Sequence, residues 1–232
     1  DAWVKPSSVL RWLPGRPFQK LSERYHPALK GGDVHHFTYS LLGLEAEVRG
    51  RGKTGWERVI CRNEWFQRHA APRVASLVEK ADDPPVVFAY SYAAHDLLEV
   101  AQGHGGPTIR GQINAGPHEE DLVAAQHDAY PSFDEQAVRA PDRYWDRWRQ
   151  ECERADTIVV NSDWSRIALD EAGIETDKVS VVPLIYEADP VAVDEDAYPE
   201  QFSAERPLRV LYLRTLTLRK GIAHLLEATS LV

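Results

Sequence analysis

The chain has 232 residues, of which 43% are hydrophobic and seven are Trp, so it can bury a sizeable core and does not have a disordered composition. No stretch approaches the roughly 20 apolar residues of a membrane span, and Cys61 and Cys152 form no CxxC or zinc-ligand pattern. The formal net charge of −9 is uneven, because residues 1–80 hold 14 Lys and Arg against 8 Asp and Glu, while residues 81–232 hold 13 against 28. The acidic balance argues against general nucleic-acid binding. The basic front is either a solvated face or a surface that meets anionic lipid headgroups or phosphates.

From residue 84 onward, short β-branched runs alternate with segments of helical periodicity. The predicted strands are "PPVVFAY", "PTIRGQIN", "DTIVV" and "KVSVVP". The predicted helices are "SYAAHDLLEVAQG", "EEDLVAAQHDAY", "PDRYWDRWRQECERA" and "WSRIALDEAG". The third of these sets Trp145, Trp148 and Cys152 on one stripe. Ser162 or Asp163 can cap the last of these helices. Strands that alternate with helices predict an α/β fold, a Rossmann-like parallel sheet with helices on both faces.

Residues 184–207 are acidic, contain three Pro and show little periodicity, so they are predicted to be an interdomain linker. The predicted domains are therefore 1–183, which is Rossmann-like, and 208–232, which opens a second domain. That second part would begin with a strand at Leu208–Leu213 and a helix from about Lys220. Because no further strand is left to pair with the first one, this second domain is not expected to fold alone.

The stretch "VLYLRTLTLRKGIAHLLEA" places Arg214, Arg219 and Lys220 between the predicted strand and the predicted helix. Backbone amides at a helix N-terminus, together with a Lys or Arg, favour a phosphate group. This pattern has two interpretations: a phosphate-binding turn, or three basic residues that only solvate a turn.

The segments "ECERADTIVVNSDWSRIALDEAGIETDKVSVVP" and "RPLRVLYLRTLTLRKGIAHLLEA" together resemble the family 4 retaining glycosyltransferases of the GT-B architecture. The resemblance also covers "VVFAYSYAAHDLLEVA" and, to a lesser degree, "GPHEEDLVAAQHDAY". It implies two Rossmann-like domains, of which the second holds most of a nucleotide-sugar donor. The first would hold most of the acceptor, a glycan or a lipid-linked molecule.

The resemblance also implies roles for the basic turn. Lys220 matches the family lysine that meets the donor pyrophosphate, and Arg219 is its basic neighbour. Arg214 stands where the family has a glycine that ends the strand. Glycine there lets the backbone approach the ligand closely, so Arg214 either supplies displaced charge or blocks the site.

In the first domain, His118 matches a loop histidine near the transferred sugar, where it could bond a hydroxyl or stabilise developing charge. The alternative is a structural or exposed loop histidine. Asn114 and Glu119 are close enough in sequence to line the same loop. No metal or other cofactor is expected, since cationic side chains and helix ends hold the phosphates in this architecture.

The resemblance therefore implies an enzyme that transfers a hexose from a nucleotide sugar with retention of configuration. The expected fold lacks its first strand and most of its second domain, so residues 1–232 alone are expected to be inactive. Two alternatives remain: a non-catalytic glycosyltransferase-like binding module, and a transferase that acts on nucleic acid, which the acidic back half disfavours. The expected location is the cytoplasm, with peripheral contact to the inner membrane face through the basic N-terminal part.

Overall fold

The computed structural model describes residues 27–133, 138–185 and 201–231. These residues form two compact units. The first unit holds 27–113, 140–159 and 178–180, and the second holds the remaining described residues. The predicted domain boundaries at residues 183 and 207 stay predictions, and 186–200 of the predicted linker lie outside the described residues.

The first unit opens with helices that precede the region of recognisable sequence pattern. A 3-10 turn at Pro27–Gly31 is followed by helices α1 (Thr38–Gly50) and α2 (Gly55–Val78). Their buried centre consists of Leu44, Val48 and Trp65. Phe37, Leu41, Cys61 and Phe66 pack around that centre. Leu41, Leu44 and Val48 recur at helical spacing, which explains why α1 buries this face.

A four-stranded parallel sheet follows, connected by helices. The order is β1 (Val87–Tyr90), α3 (His95–Gly103), β2 (Thr108–Gly111), α4 (Pro117–Ala129), α5 (Asp142–Arg154), β3 (Thr157–Val160), α6 (Asp163–Glu171) and β4 (Val179–Val181). The strands lie side by side in chain order. Val87 pairs with Thr108, and Ile109 pairs with Thr157. The α/β, Rossmann-like fold class predicted from the alternation of strands and helices is confirmed.

The core of the first unit lies where α3 and α5 pack on this sheet. Helix α3 contacts β1 and β2, and α5 contacts β2 and α3. Leu98 of α3, Trp148 of α5 and Ile158 of β3 are fully buried. The predicted stripe on α5 is therefore the face that the helix buries, since Cys152 is also buried and only Trp145 is partly exposed.

The second unit contains α4, α6, a 3-10 turn at Leu218–Lys220 and helix α7 (Ile222–Ser230). Of the two predicted caps of α6, the structure selects Ser162, because its Oγ accepts a hydrogen bond of 3.2 Å from the amide of Ser165. The predicted helix from about Lys220 begins two residues later, at Ile222. No described helix has the length and apolarity needed to cross a membrane.

The structure differs from the sequence expectation at 208–213, where the predicted strand does not form. Leu208, Val210, Leu211 and Leu213 are all exposed. An isolated strand leaves its backbone groups without partners, and among the described residues none pairs with this segment.

Candidate functional site

The first part of the candidate site is the loop that leads into α4. Asn114 Oδ1 accepts a hydrogen bond of 3.0 Å from the amide of Gly116, and Glu119 Oε2 accepts one of 3.3 Å from the amide of Ala115. Gly116 has φ 72° and ψ −152°, a conformation that is essentially restricted to glycine. Asn114 and Glu119 therefore hold the loop, as their closeness in sequence suggested.

His118 is the second residue of α4 and is half-buried. Within the described part of the chain, no hydrogen bond or ion pair engages its imidazole. The ring is thus available to a ligand. Its catalytic role stays a prediction, because its position alone does not distinguish that role from an ordinary loop histidine.

The second part of the site is the basic turn before α7. Leu218–Lys220 form one 3-10 turn, and Gly221 follows in the left-handed conformation with φ 75°. Tyr212 donates hydrogen bonds of 3.1 Å to the carbonyls of Thr215 and Lys220. Because Leu218 is buried beneath the turn, the Lys220 side chain is directed to the exposed surface at the start of α7.

An ion pair joins these two parts of the site. Arg219 Nε lies 2.7 Å from Glu119 Oε1, and the residues are 100 positions apart in sequence. The structure thus brings together one residue from the predicted phosphate turn and one from the predicted acceptor loop. Glu119 offsets the charge of Arg219. Lys220, for which no ion pair occurs among the described residues, remains as the turn's uncompensated cation.

A second contact fixes the far ends of the same helices. Tyr130, next to the end of α4, donates a hydrogen bond of 2.8 Å to Glu227 of α7. This bond to the Glu227 carboxylate is the main reason that the pKa of Tyr130 is raised, because the proton is shared with a negative charge. The Tyr130 ring also lies 5.5 Å from the ring of His224.

A cavity of about 260 Å³ lies between α4, α6 and the basic turn, all within the second unit. Its polar lining comes from Glu119, Gln126, Arg219 and His224, and Trp164 contributes an indole face. Gln126 Oε1 is buried and accepts no hydrogen bond from the described residues. The cavity thus offers donors, acceptors and one aromatic surface to a small hydroxylated ligand.

Arg214 lies apart from this arrangement. Its side chain is exposed, and no contact within the described residues joins it to Arg219 or Lys220. The structure therefore brings together Glu119, Arg219 and the Lys220 turn, but it does not bring Arg214 to them. Whether Arg214 supplies charge or blocks the site stays open.

The sequence analysis missed a buried charged pair in the first unit. Glu151 of α5 and Arg110 of β2 are both completely buried, with Arg110 Nε 3.3 Å from Glu151 Oε2. The Glu151 carboxylate also accepts hydrogen bonds from the amides of Tyr92, Ala94 and His95, at 2.7, 2.9 and 3.2 Å. Tyr92 has φ 73°, so one carboxylate stabilises an unfavourable backbone conformation, the N-terminus of α3 and a buried guanidinium.

The structure also places three possible metal ligands together, His95, Asp96 and Glu99, with atoms within 4.8 Å of one another. Asp96 forms an ion pair with Arg147, and Arg154 bonds both His95 Nε2 and Glu99. These arginines already satisfy the charge of the group, so it is a network of ion pairs between α3 and α5.

Comparisons with protein-family models, curated proteins and solved structures yield no match to this chain.

Proposed function

We propose that this chain is part of a nucleotide-sugar-dependent glycosyltransferase that transfers a hexose with retention of configuration. The observation that carries the proposal is the Arg219–Glu119 contact. Two groups of residues, one predicted to bind a phosphate and one predicted to line an acceptor loop, meet at this contact. A Rossmann-like sheet is compatible with the proposal but hosts many other activities.

In this proposal, Lys220 and the first amides of α7 bind the donor pyrophosphate. The pyrophosphate supplies the anionic partner that Lys220 does not have among the described residues. Arg219 is the basic neighbour of Lys220, and Glu119 fixes its position. His118 donates a hydrogen bond to a sugar hydroxyl or stabilises charge that develops during transfer. The acceptor is a glycan or a lipid-linked molecule, and no metal or nucleic acid takes part.

The cavity beside Arg219 supports the placement of the sugar in this proposal. Glu119, Gln126, His224 and Trp164 line it, so hydrogen-bonding groups and one aromatic side chain are available to a sugar. We place the reaction in the cytoplasm, where the basic N-terminal part of the chain can reach the inner membrane face.

The test is calorimetric titration of the full-length protein with a panel of nucleotide sugars, including UDP-glucose and GDP-mannose. The Lys220→Ala variant should bind the preferred donor about tenfold or more weakly, because a charge-assisted hydrogen bond contributes about 1.5–3 kcal/mol. Lys80→Ala removes an exposed lysine of the first unit and should bind as the parent does. If no nucleotide sugar binds, or if Lys220→Ala binds as tightly as the parent, the assignment of this turn is wrong.

One observation favours a second candidate, a non-catalytic glycan-binding module. Glu119 neutralises Arg219, which leaves the turn with fewer free cations than a pyrophosphate site would use. A chain of this kind would bind free oligosaccharides but no nucleotide. Titration with oligosaccharides, together with mass spectrometry of any transfer product, separates the two candidates.

A further inference from the structure

A cavity of the first unit is lined by none of the residues of the proposed transfer reaction. It has a volume of about 530 Å³ and lies between α1, α2 and the edge strand β1. Pockets for small molecules commonly have volumes of roughly 300–1,000 Å³ and are mostly apolar with a few polar groups. This cavity therefore has the size of a site for a small molecule.

The walls of the cavity are mainly aromatic and aliphatic. Trp65 and Phe66 of α2 form one side, and Phe88 and Tyr90 of β1 form the other. Phe88 and Tyr90 are 48% and 62% exposed, although they lie in a concave surface. Large aromatic side chains left in contact with water represent unused hydrophobic free energy, so an apolar ligand is the complementary occupant.

The rings on the β1 side are held in place before any ligand arrives. Phe88 and Tyr90 pack edge to face with centroids 5.1 Å apart. They lie over Gly111 of β2, where a Cβ atom would come within 2.7 Å of Phe88 Cζ. Only glycine leaves room for this arrangement, so Gly111 lets both rings lie against the backbone of β2.

The charged side chains that line the cavity are Glu45 and Arg62. Glu45 accepts a hydrogen bond of 2.5 Å from Arg62 Nε and one of 2.7 Å from Arg58, which lies outside the lining. Burial alone would raise the pKa of Glu45, but the hydrogen bonds and charges of Arg58 and Arg62 lower it, so this carboxyl is ionised near neutral pH. Because Arg62 shares this one carboxylate with Arg58, the three side chains together carry one net positive charge, and Arg62 is the member that can present it to a ligand in the cavity.

We propose that this cavity binds a single acyl chain that carries one negative charge. The chain packs between Trp65 and the pair Phe88 and Tyr90, while its carboxylate bonds to Arg62. This site is separate from the proposed sugar transfer and does not depend on it.

Calorimetric titration of the full chain with decanoate, below its micelle concentration, tests the proposal. Decanoate should bind, and shortening it to octanoate should weaken binding about fifteenfold, because each of the two methylenes removed contributes about fourfold in affinity. Decyltrimethylammonium, which has the same chain with a cationic head, should bind at least tenfold more weakly than decanoate. Equal binding of the two decyl compounds would overturn the proposal. Absence of decanoate binding would also overturn it.

Variants test the charged group and the apolar walls of the cavity separately. Arg62→Gln should weaken decanoate binding about tenfold and leave 1-decanol binding unchanged, whereas the exposed Arg149→Gln in α5 should change neither. Ala93→Phe fills the cavity, and Phe88→Ala removes one of its walls. Circular dichroism reports whether each variant folds. If the folded variants bind decanoate as the parent does, the ligand lies elsewhere and the proposal fails.

Discussion

At the scale of single residues, the charge buried between β2 and α5 is the feature with the largest energetic consequence. Arg110 has no contact with solvent, and Glu151 is its charge partner. Arg110 also donates a hydrogen bond of 2.5 Å to Gln112 and lies 5.5 Å from the centre of the Trp148 ring. Removing one member of such a pair leaves the other charge buried without compensation.

We therefore predict that Glu151→Gln destabilises the protein by about 3 kcal/mol or more. The measurement is urea unfolding of the variant and parent, followed by circular dichroism. Glu153→Gln changes an exposed carboxylate on the same helix and should stay within about 0.5 kcal/mol of the parent. Equal stabilities of the two variants would show that water reaches Arg110 and screens its charge.

The two thiols should differ in reactivity. Burial raises the pKa of Cys152 from 9.0 to about 11, whereas Cys61 is only partly buried. At pH 8 in the native state, an aromatic disulfide reagent should modify Cys61, and the Cys61→Ser variant should react only after unfolding. Fast modification of native Cys61→Ser would contradict this prediction.

The raised pKa of Cys152 also affects the stability of the protein at alkaline pH. Because the folded protein holds the Cys152 proton more tightly than the unfolded chain does, the stabilising contribution is complete below about pH 9. It is lost as the pH rises towards about 11. In the Cys152→Ala variant, this part of the pH dependence of the free energy of unfolding should be absent.

At the scale of elements, α6 depends on Ser162, the N-cap residue that precedes the helix. Ser162 Oγ accepts from the amide of Ser165, and Asn161 Oδ1 accepts from the hydroxyls of Ser162 and Ser165. This side-chain network satisfies an amide that the helix itself leaves unpaired.

Ser162→Ala should lower the free energy of unfolding by about 1 kcal/mol, and Ser162→Asn should restore most of it, since Asn is an equally good N-cap. Thermal unfolding followed by calorimetry provides the comparison. A variant Ser162→Asn as unstable as Ser162→Ala would indicate that the hydroxyl acts through Asn161 instead of the helix amide.

At the scale of the whole molecule, stability is expected to vary strongly along the chain. The amides of β2 and β3 lie in a paired and buried ladder. The amides of 208–213 donate no backbone hydrogen bond to any described residue. Local opening free energies follow such differences in burial and bonding.

Hydrogen exchange should therefore be fast at 208–213 and at least a thousandfold slower in β2, with mass spectrometry of peptides as the measurement. Slow exchange at 208–213 would mean that the segment pairs with a strand in solution. In that case its apolar residues would be packed, and the second unit would hold its own sheet.

Much of the fold could be predicted because its signals are local. The β-branched runs identified β1 to β4, and the stripe of Trp148 and Cys152 identified the buried face of α5. Arg110 and Glu151 could not be predicted in this way, since charged side chains normally lie at the surface and each becomes tolerable only through a partner 41 positions away. The positive φ of Tyr92 depends on the same distant carboxylate.

In the candidate site, too, local signals could be predicted and contacts between residues distant in sequence could not. Lys220 was identified from a basic turn that is visible in the sequence, and His118 from the family resemblance. The pairing of Arg219 with Glu119 is a tertiary contact across 100 positions, and no sequence pattern predicts it. The strand at 208–213 was predicted from composition, but a strand needs a neighbour, which composition does not supply.

The sequential order of the sheet has a consequence for synthesis on the ribosome. Each strand from β2 to β4 pairs with the strand that emerged immediately before it. The sheet can therefore grow by one strand at a time as the chain leaves the exit tunnel, without waiting for a distant C-terminal partner. A nascent chain stalled after β3 should already protect β1 and β2 from proteolysis.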